Sequence, residues 1–418
     1  MSKPLEGIKV VDLTTFLATP TTGRALGEWG ADVIKIEAAK GDPGRVNQAV
    51  VFGMTADDDE NLGFDMANMH KRFISLNLKS EKGLEVMHKL LAEADVFITN
   101  MRAKSLAKMG LDWESLHARY PRLVMGHGLG YGKKGPEKDN AGFDVTCYMG
   151  RGGVFGTTVN KGDAPMIPTN GYGDFQASMF LASGILAALI GREKTGAGDY
   201  VTCALEHAAI YALSTGMVSA QYGNQYPKSR REVNNPLNNV FHSKDDKWVV
   251  LCLPEYNRDW PRVMKLIHRE DLAEHPDYSD VQAVNSKGLA GEVTDILDEG
   301  FAQFTRDELL DMFGKNDMPC EPAQTPLDVY EDQNALVNEY IKQVPYPKGG
   351  RWCPTVPVQF ELNETAELEP TGMMGSSTEA VMVELGYAKE EIDAAMAPCA
   401  DPSSLRFFRA SNHSGQVE

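Results

Sequence analysis

The sequence predicts an α/β chain, with a parallel sheet covered by helices in a large domain and a smaller α/β domain taken from its later middle. Three observations lead there. Short β-branched runs alternate with amphipathic runs through the first half of the chain. The texture turns polar and proline-bearing near residues 223–239. The length, 418 residues, suffices for two domains or for one with an insertion.

Gly7–Leu13 reads as a strand, a helix follows near Thr21–Trp29, and Asp32–Glu37 completes a βαβ unit. Phe73–Leu78 is the next strand. Glu81–Ala94 is a helix with Leu84, Met87, Leu90 and Leu91 on one face. The strand Asp95–Asn100, helices at Ala103–Met109 and Trp113–Arg119, and the strand Leu123–Gly126 continue the alternation, with right-handed crossovers. A long apolar helix begins at Asp174, and Tyr200–Cys203 is again strand-like. The predicted organisation is 1–205 as the first part of the large domain, 206–238 as a linker, 239–330 as the small domain and 331–418 as the return. The small domain carries the strand Trp248–Cys252 and helices near Trp260–Ile267, Gly291–Phe304 and Asp307–Phe313. The return is punctuated by Pro345, Pro347, Pro354 and Pro357, and two helices close it, near Thr378–Leu385 and Lys389–Ala395.

Lys and Arg total 41 against 59 Asp and Glu, a net charge of -18. That balance argues against nucleic-acid and anionic-membrane partners and leaves an anionic ligand to locally placed cations and amides. Six cysteines lie far apart with no C-x-x-C pair, the pattern of reduced thiols in a cytoplasmic protein, and no metal site is expected. The N-terminus runs directly into a strand pattern, and the run Phe175–Gly191 is too short and too polar for a comfortable membrane span.

The stretch PTNGYGDFQASMFLASGILAAL, from Pro168 to Leu189, sets one acid at the head of an apolar run. As plain structure, Asp174 is a helix N-cap. As chemistry, a carboxylate there can attack an activated acyl group, with the first-turn amides near Phe175–Ala177 keeping it ionised and an apolar helix excluding water. Gly126–Gly132, a glycine-dense segment after a strand, comes too late for a nicotinamide fingerprint but suits a loop that a ligand approaches closely. His127 within it is read as structural. Lys40, Arg45, Lys79, Arg102 and Lys108 follow successive strands, where ligands of such sheets collect, and together they suggest a phosphorylated ligand.

The segments GIKVVDLTTFLATPTTGRALGEWGADVIKIE, SLNLKSEKG, ITNMR, GYGKKGP, AGFD and GYGDFQASM, in this order, resemble the class III coenzyme A transferases, a family that also includes α-methylacyl-CoA racemases. The likeness covers nearly the whole chain. DENLGFDMANMHKRFISLNLKSEKG is most similar to the branch that handles 2-hydroxy acids and aryl-acrylic acids. The resemblance implies a Rossmann-like large domain built from both chain ends and an interlocked homodimer. It also implies acyl-CoA and a carboxylic acid as substrates, with no tightly bound cofactor. By position, Asp174 matches the nucleophilic aspartate, with Tyr131 a candidate for positioning the carbonyl. Phe16, Leu17 and Ala18 match the thioester end of the CoA site, and Leu76–Lys79 an adenine-side segment. Asn100, Met101 and Arg102 match a CoA-contacting turn, Lys108 a phosphate-binding arginine, and Gly130 and Gly132 the loop facing the aspartate. Ala38 stands where many members carry an arginine, leaving Lys40 as its substitute. Leu129 replaces a common lysine. Leu17 stands at the place of a glutamine, and a shielding glycine tetrad has no counterpart beyond Leu251–Asn257. The racemases place a histidine before the Asp of AGFD; here it is Phe143, which cannot exchange a proton, so transfer is favoured over racemisation. A non-catalytic CoA-binding protein is the remaining alternative.

Overall fold

The computed structural model describes residues 2–38, 40–57 and 59–396. Cys399 and the last part of the predicted return lie outside them. Six strands form one sheet: β1 (Lys9–Leu13), β2 (Asp32–Glu37), β3 (Lys71–Ser75), β4 (Val96–Thr99), β5 (Val124–Leu129) and β6 (Tyr200–Ala204). All its pairings are parallel and the order is β3-β2-β1-β4-β5-β6. The helices of this unit include α1 (Ala18–Glu28), α2 (Gly44–Val51), α3 (Leu62–Asn68), α4 (Glu81–Glu93), α5 (Ala103–Lys108), α6 (Trp113–Arg119) and α7 (Tyr172–Thr195).

Alternate strand residues serve opposite faces, as the strand period of two requires. Val10, Val33, Val96 and Ile98 pack under Leu26 of α1 and Ile185 of α7. Val11, Ile34, Ile36 and Phe97 pack under Met87 and Leu90 of α4, Leu106 of α5 and Val381 and Met382 of the helix Thr378–Glu384. α4 begins where Ser80 accepts the Gly83 amide at 3.1 Å. Leu181 and Ile185 are fully buried, each stabilising the fold by roughly 2 kcal/mol. α7 is therefore a core helix on one side, although its length and composition alone would allow a membrane crossing.

Order 3-2-1-4-5-6 places a topological switch between β1 and β4, and a crevice opens at the carboxyl ends of those strands. Strand β5 extends further than its β-branched start suggests. His127–Leu129, expected in a loop, continue the ladder, with Gly128 opposite Cys203. A side chain is impossible at Gly128, because a Cβ would come within 1.9 Å of the Thr19 hydroxyl on α1.

Buried ion pairs lie behind the β1–β3 edge: Lys71 with Asp12 at 2.8 Å, Lys35 with Asp42 at 2.9 Å and Arg45 with Glu37 at 2.8 Å. Arg45, read from sequence as a free cation, is committed to Glu37 and stacks 4.1 Å over the Phe64 ring.

The chain divides into two compact units. One comprises Met1–Val154, Ile167–Ser214 and Gln333 onward; the other comprises Phe155–Met166 and Thr215–Asp332. Residues 206–238, expected to be a linker, instead carry the helices Leu205–Ala212 and Ser214–Ala220, and the division falls at Ser214. The smaller unit has an antiparallel sheet of β7 (Asn238–His242), β8 (Trp248–Cys252) and β9 (Cys320–Pro322). Phe241, Leu251, Trp260, Phe301 and Phe313 fill its core.

Candidate active site

The carboxyl ends of β1, β4 and β5 converge on the N-terminus of α7 around a cavity of about 120 Å³. Phe16, Leu17 and Ala18 leave β1 into its wall, Asn100 follows β4, Gly130 follows β5, and Asp174 comes from α7. Side chains from elsewhere fix each wall. Asn100 clasps Thr15, accepting its amide at 3.0 Å and donating to its carbonyl at 2.7 Å. Phe16 takes a left-handed backbone, φ 65°, uncommon for a bulky residue. Its amide donates to Asp42 Oδ1 at 3.0 Å and its carbonyl accepts from Gln48 Nε2 at 2.8 Å.

Asp174 is not the cap of its helix. The helix starts at Tyr172 after Gly171, which stands at φ 82°. A Cβ on Gly171 would come within 2.3 Å of Leu17 Cδ2. The capping carboxylate belongs to Asp144, on a π-helical turn Asp144–Arg151, and it accepts the amides of Gly171 at 3.0 Å and Gly173 at 2.8 Å. The Phe175 amide, expected to face the reactive carboxylate, is bonded to the Gly171 carbonyl at 3.1 Å. Burial, aided by the Asp144 charge, pushes Asp174 up to about 7. The expectation that the helix amides keep it firmly ionised is thus corrected: the Phe175 amide stays within the backbone, Asp144 takes the Gly171 and Gly173 amides, and its like charge opposes ionisation of Asp174. At neutral pH the Asp174 carboxyl is poised between its acid and its anion.

A second, wider cavity of about 510 Å³ shares Phe16, Asn100, Gly130 and Phe143 with the first. Four cations line it, Arg102, Lys104, Lys133 and Lys138, alongside the acids Asp112, Glu114 and Asp139, Gly132, and the side chains of Met101, Trp113 and Tyr200. His127 lies beneath it with both ring nitrogens occupied, Nε2 donating to the Met101 carbonyl and Nδ1 accepting from Tyr200, each at 2.8 Å. Burial pushes that imidazole down to about 4, so it is neutral and structural, as its lack of ligand partners suggested. Sequence reasoning missed Lys104, Lys133 and Lys138. Lys133 stands within GYGKKGP, and runs of exposed lysine after a glycine turn were the available signal.

Other expected residues lie elsewhere. Leu76 is fully buried in the core beside α4, so its side chain reaches no ligand. Lys40, Lys79 and Lys108 are exposed and line neither cavity. Tyr131 also lines neither. Its hydroxyl interacts with Cys147 and its ring lies 5.7 Å from the Arg151 guanidinium. Among the described residues no group of three His, Cys, Asp or Glu side chains could hold a metal ion.

Comparison with known proteins gives the site a lineage. Residues 5–375 match the family model described as CoA-transferase family III. The chain is 39% identical over 390 residues to an (R)-2-hydroxy-4-methylpentanoate CoA-transferase of Clostridioides difficile, covering 93% of this chain and 97% of that protein. It is 41% identical over 391 residues to a cinnamoyl-CoA:phenyllactate CoA-transferase of Clostridium sporogenes, covering 93% and 94%. The crystal structure of a CaiB/BaiF family protein from Brucella suis superposes with a TM-score of 0.78 at 27% identity, covering 92% of this chain and all of that one. A match of this extent makes the chain a member of CoA-transferase family III.

Proposed function

We propose that this CoA-transferase moves CoA from an acyl-CoA to the carboxylate of a 2-hydroxy acid or an aryl-acrylic acid, with Asp174 as the covalent carrier. The observation that carries the reading is the position of Asp174 on the wall of a narrow cavity that shares a wall with a wide one bearing four cations. The two relatives named for hydroxy-acid and phenyllactate transfer support the acid class.

The Asp174 anion adds to the thioester carbonyl. The carbon–sulfur bond breaks, giving an aspartyl–acyl anhydride and CoA thiolate. The thiolate adds to the aspartyl carbonyl, and the donor acid leaves as its carboxylate. The acceptor carboxylate then attacks the aspartyl–CoA thioester, forming a new anhydride and thiolate. Return of the thiolate to the acceptor's acyl carbon yields the new acyl-CoA and restores Asp174. Charge and protons balance at each step and thioester reactivity is conserved, so the exchange calls for no redox partner. Burial that holds Asp174 near 7 also keeps its anion basic and poorly solvated, which favours attack. The left-handed Phe16 and the Leu17 side chain close the cavity around the reacting carbon.

In this reading the pantetheine arm runs past Asn100, Met101 and Gly130, and Arg102 meets a phosphate. Lys40, Lys79 and Lys108, exposed after β2, β3 and α5, serve a nucleotide extending beyond the cavity. A second copy covers the apolar outer side chains Ile190 and Tyr211, each 67% exposed, in an interlocked homodimer. The unpaired cysteines suit the cytoplasm. Phe143 leaves racemisation without its second acid/base.

Mass spectrometry of the denatured protein after incubation with acyl-CoA tests this function. A CoA adduct on the peptide containing Asp174 is expected, and Asp174→Ala should abolish transfer while retaining CoA affinity. Complete release of ligand on denaturation during active turnover, or transfer surviving Asp174→Ala, overturns it.

A further inference from the structure

A third recess, of about 160 Å³, also opens on Asp174. It shares Phe16, Leu17 and Phe143 with the thioester cavity but runs toward the end of α2, where Val51 and Phe52 form its far wall. No Lys or Arg lines it. We infer that this recess receives the hydrocarbon side chain of the exchanged acid, and that Val51 and Phe52 determine which acids fit.

The inference rests on the transferase reading and deepens it. A CoA arm is polar and ends in phosphates, and the cations that suit it line the wider cavity. The mostly apolar recess suits the other half of the thioester. A cavity of roughly 150 Å³ lined by hydrocarbon takes up benzene, so this one accommodates one aryl ring or branched alkyl group. Val51 and Phe143 are 57% and 55% exposed, apolar surface left open beside a reactive carboxylate in a strongly acidic chain. The wall is also braced. Asn170 Nδ2 donates to the Val51 carbonyl at 3.3 Å, tying the end of α2 to the segment that leads into α7. Gln48 ties the same helix to Phe16. An acyl carbon at Asp174 would therefore have its side chain directed against Val51 and Phe52 while the sulfur faces Asn100.

Acyl-CoA titration in the Asp174→Asn background, where no acyl transfer proceeds, measures the recess alone. Val51→Trp should weaken 3-phenylpropanoyl-CoA at least tenfold and leave acetyl-CoA within twofold. The milder Val51→Met, at the same exposed position, should weaken only the aryl ligand by about threefold, in line with the modest discrimination hydrophobic pockets give per methylene. Equal losses for both ligands, or no loss for either in a folded variant, overturn the proposal. Turnover by the otherwise unchanged protein separates the two ideas. CoA exchange without the affinity split refutes the recess alone, whereas the split without exchange refutes the transferase reading and leaves the recess standing.

Discussion

One oxygen of Asp144 accepts the Gly173 amide at 2.8 Å, one residue before Asp174, while its other oxygen holds Gly171 at 3.0 Å. Two carboxylates thus stand at one helix N-terminus, and the one that takes the Gly171 and Gly173 amides is Asp144. Asp174 is left with a like charge for a neighbour and few donors, which separates building the turn from the reaction proposed for Asp174.

Asp144→Asn should therefore act on both tasks. Its carboxamide can accept at one end only, so one buried amide is left facing an N–H, a cost of about 1–3 kcal/mol. Thermal unfolding should show a melting point lower by several degrees. Loss of the negative charge should also move the pH at which Asp174 ionises downward. An unchanged inflection in the pH–rate profile would show that Asp144 does not tune its neighbour.

The pH dependence of the unaltered protein follows from Asp174 itself. Its pKa is raised from 3.8 to about 7, and in the proposed mechanism the anion is the attacking form. The value of kcat/KM should rise with pH through an inflection near 7 and level off above it. For stability the sign is opposite. A raised carboxyl pKa contributes stability that is fully present below about 4 and lost as pH rises through about 7. Asp174→Asn should melt above the parent at pH 8, with the gap closing toward pH 4. A gap that stays constant across this range would contradict the assigned cause.

Much of this organisation was legible because its signals are local. The run Asp32–Glu37 and the Met87–Leu90–Leu91 face of α4 declare strand and helix by period, and they pair and pack accordingly. Asp174 stood out because no other charge interrupts the run that follows it until Arg192. What stayed hidden is non-local. The turn at Gly171 is stabilised by Asp144, far upstream, and no spacing rule links the two. Leu76 lies in SLNLKSEKG, yet just past the end of β3 its side chain is buried in the core beside α4. His127–Leu129 looked like a loop because glycine weakens strand propensity, whereas close packing of Thr19 favours glycine at position 128 of the strand. The eight residues of α2 carry no cap, and without it the recess wall could not be foreseen.

Phe16 gives a third prediction. A non-glycine residue in the left-handed region costs on the order of 1–3 kcal/mol and persists only when its surroundings dictate it. Here they do so through a relay: the Phe16 amide to Asp42, and Asp42 to Lys35, which also donates to the Thr14 carbonyl at 2.8 Å. Asp42→Asn would leave Lys35 buried without its ion-pair partner, a loss of about 3–5 kcal/mol. Denaturant unfolding should register that loss. Gln48→Leu removes only the hydrogen bond to the Phe16 carbonyl, about 1 kcal/mol, and should lower kcat more than stability. A Gln48 variant with full kcat would show that the Phe16 conformation is not needed for turnover.

The cation-lined cavity gives the last. Lys104 already pairs with Asp139 at 2.9 Å, and Lys133 lies 4.9 Å over the Tyr200 ring, so both are partly engaged. Arg102, exposed at the start of α5 and directed by the Asn100–Arg102 turn after β4, can form a bidentate contact with a phosphate. Arg102→Ala should raise the KM for acyl-CoA about tenfold with little change in kcat, one charge-assisted contact being worth roughly 1.5–3 kcal/mol. Lys104→Ala should have a smaller effect, because its ammonium is exposed and already paired with Asp139. Added salt should weaken acyl-CoA binding in the parent more steeply than in Arg102→Ala. Should Lys104→Ala prove the more damaging, or salt leave the parent unaffected, the phosphates of the substrate lie elsewhere on the carboxyl edge of the sheet.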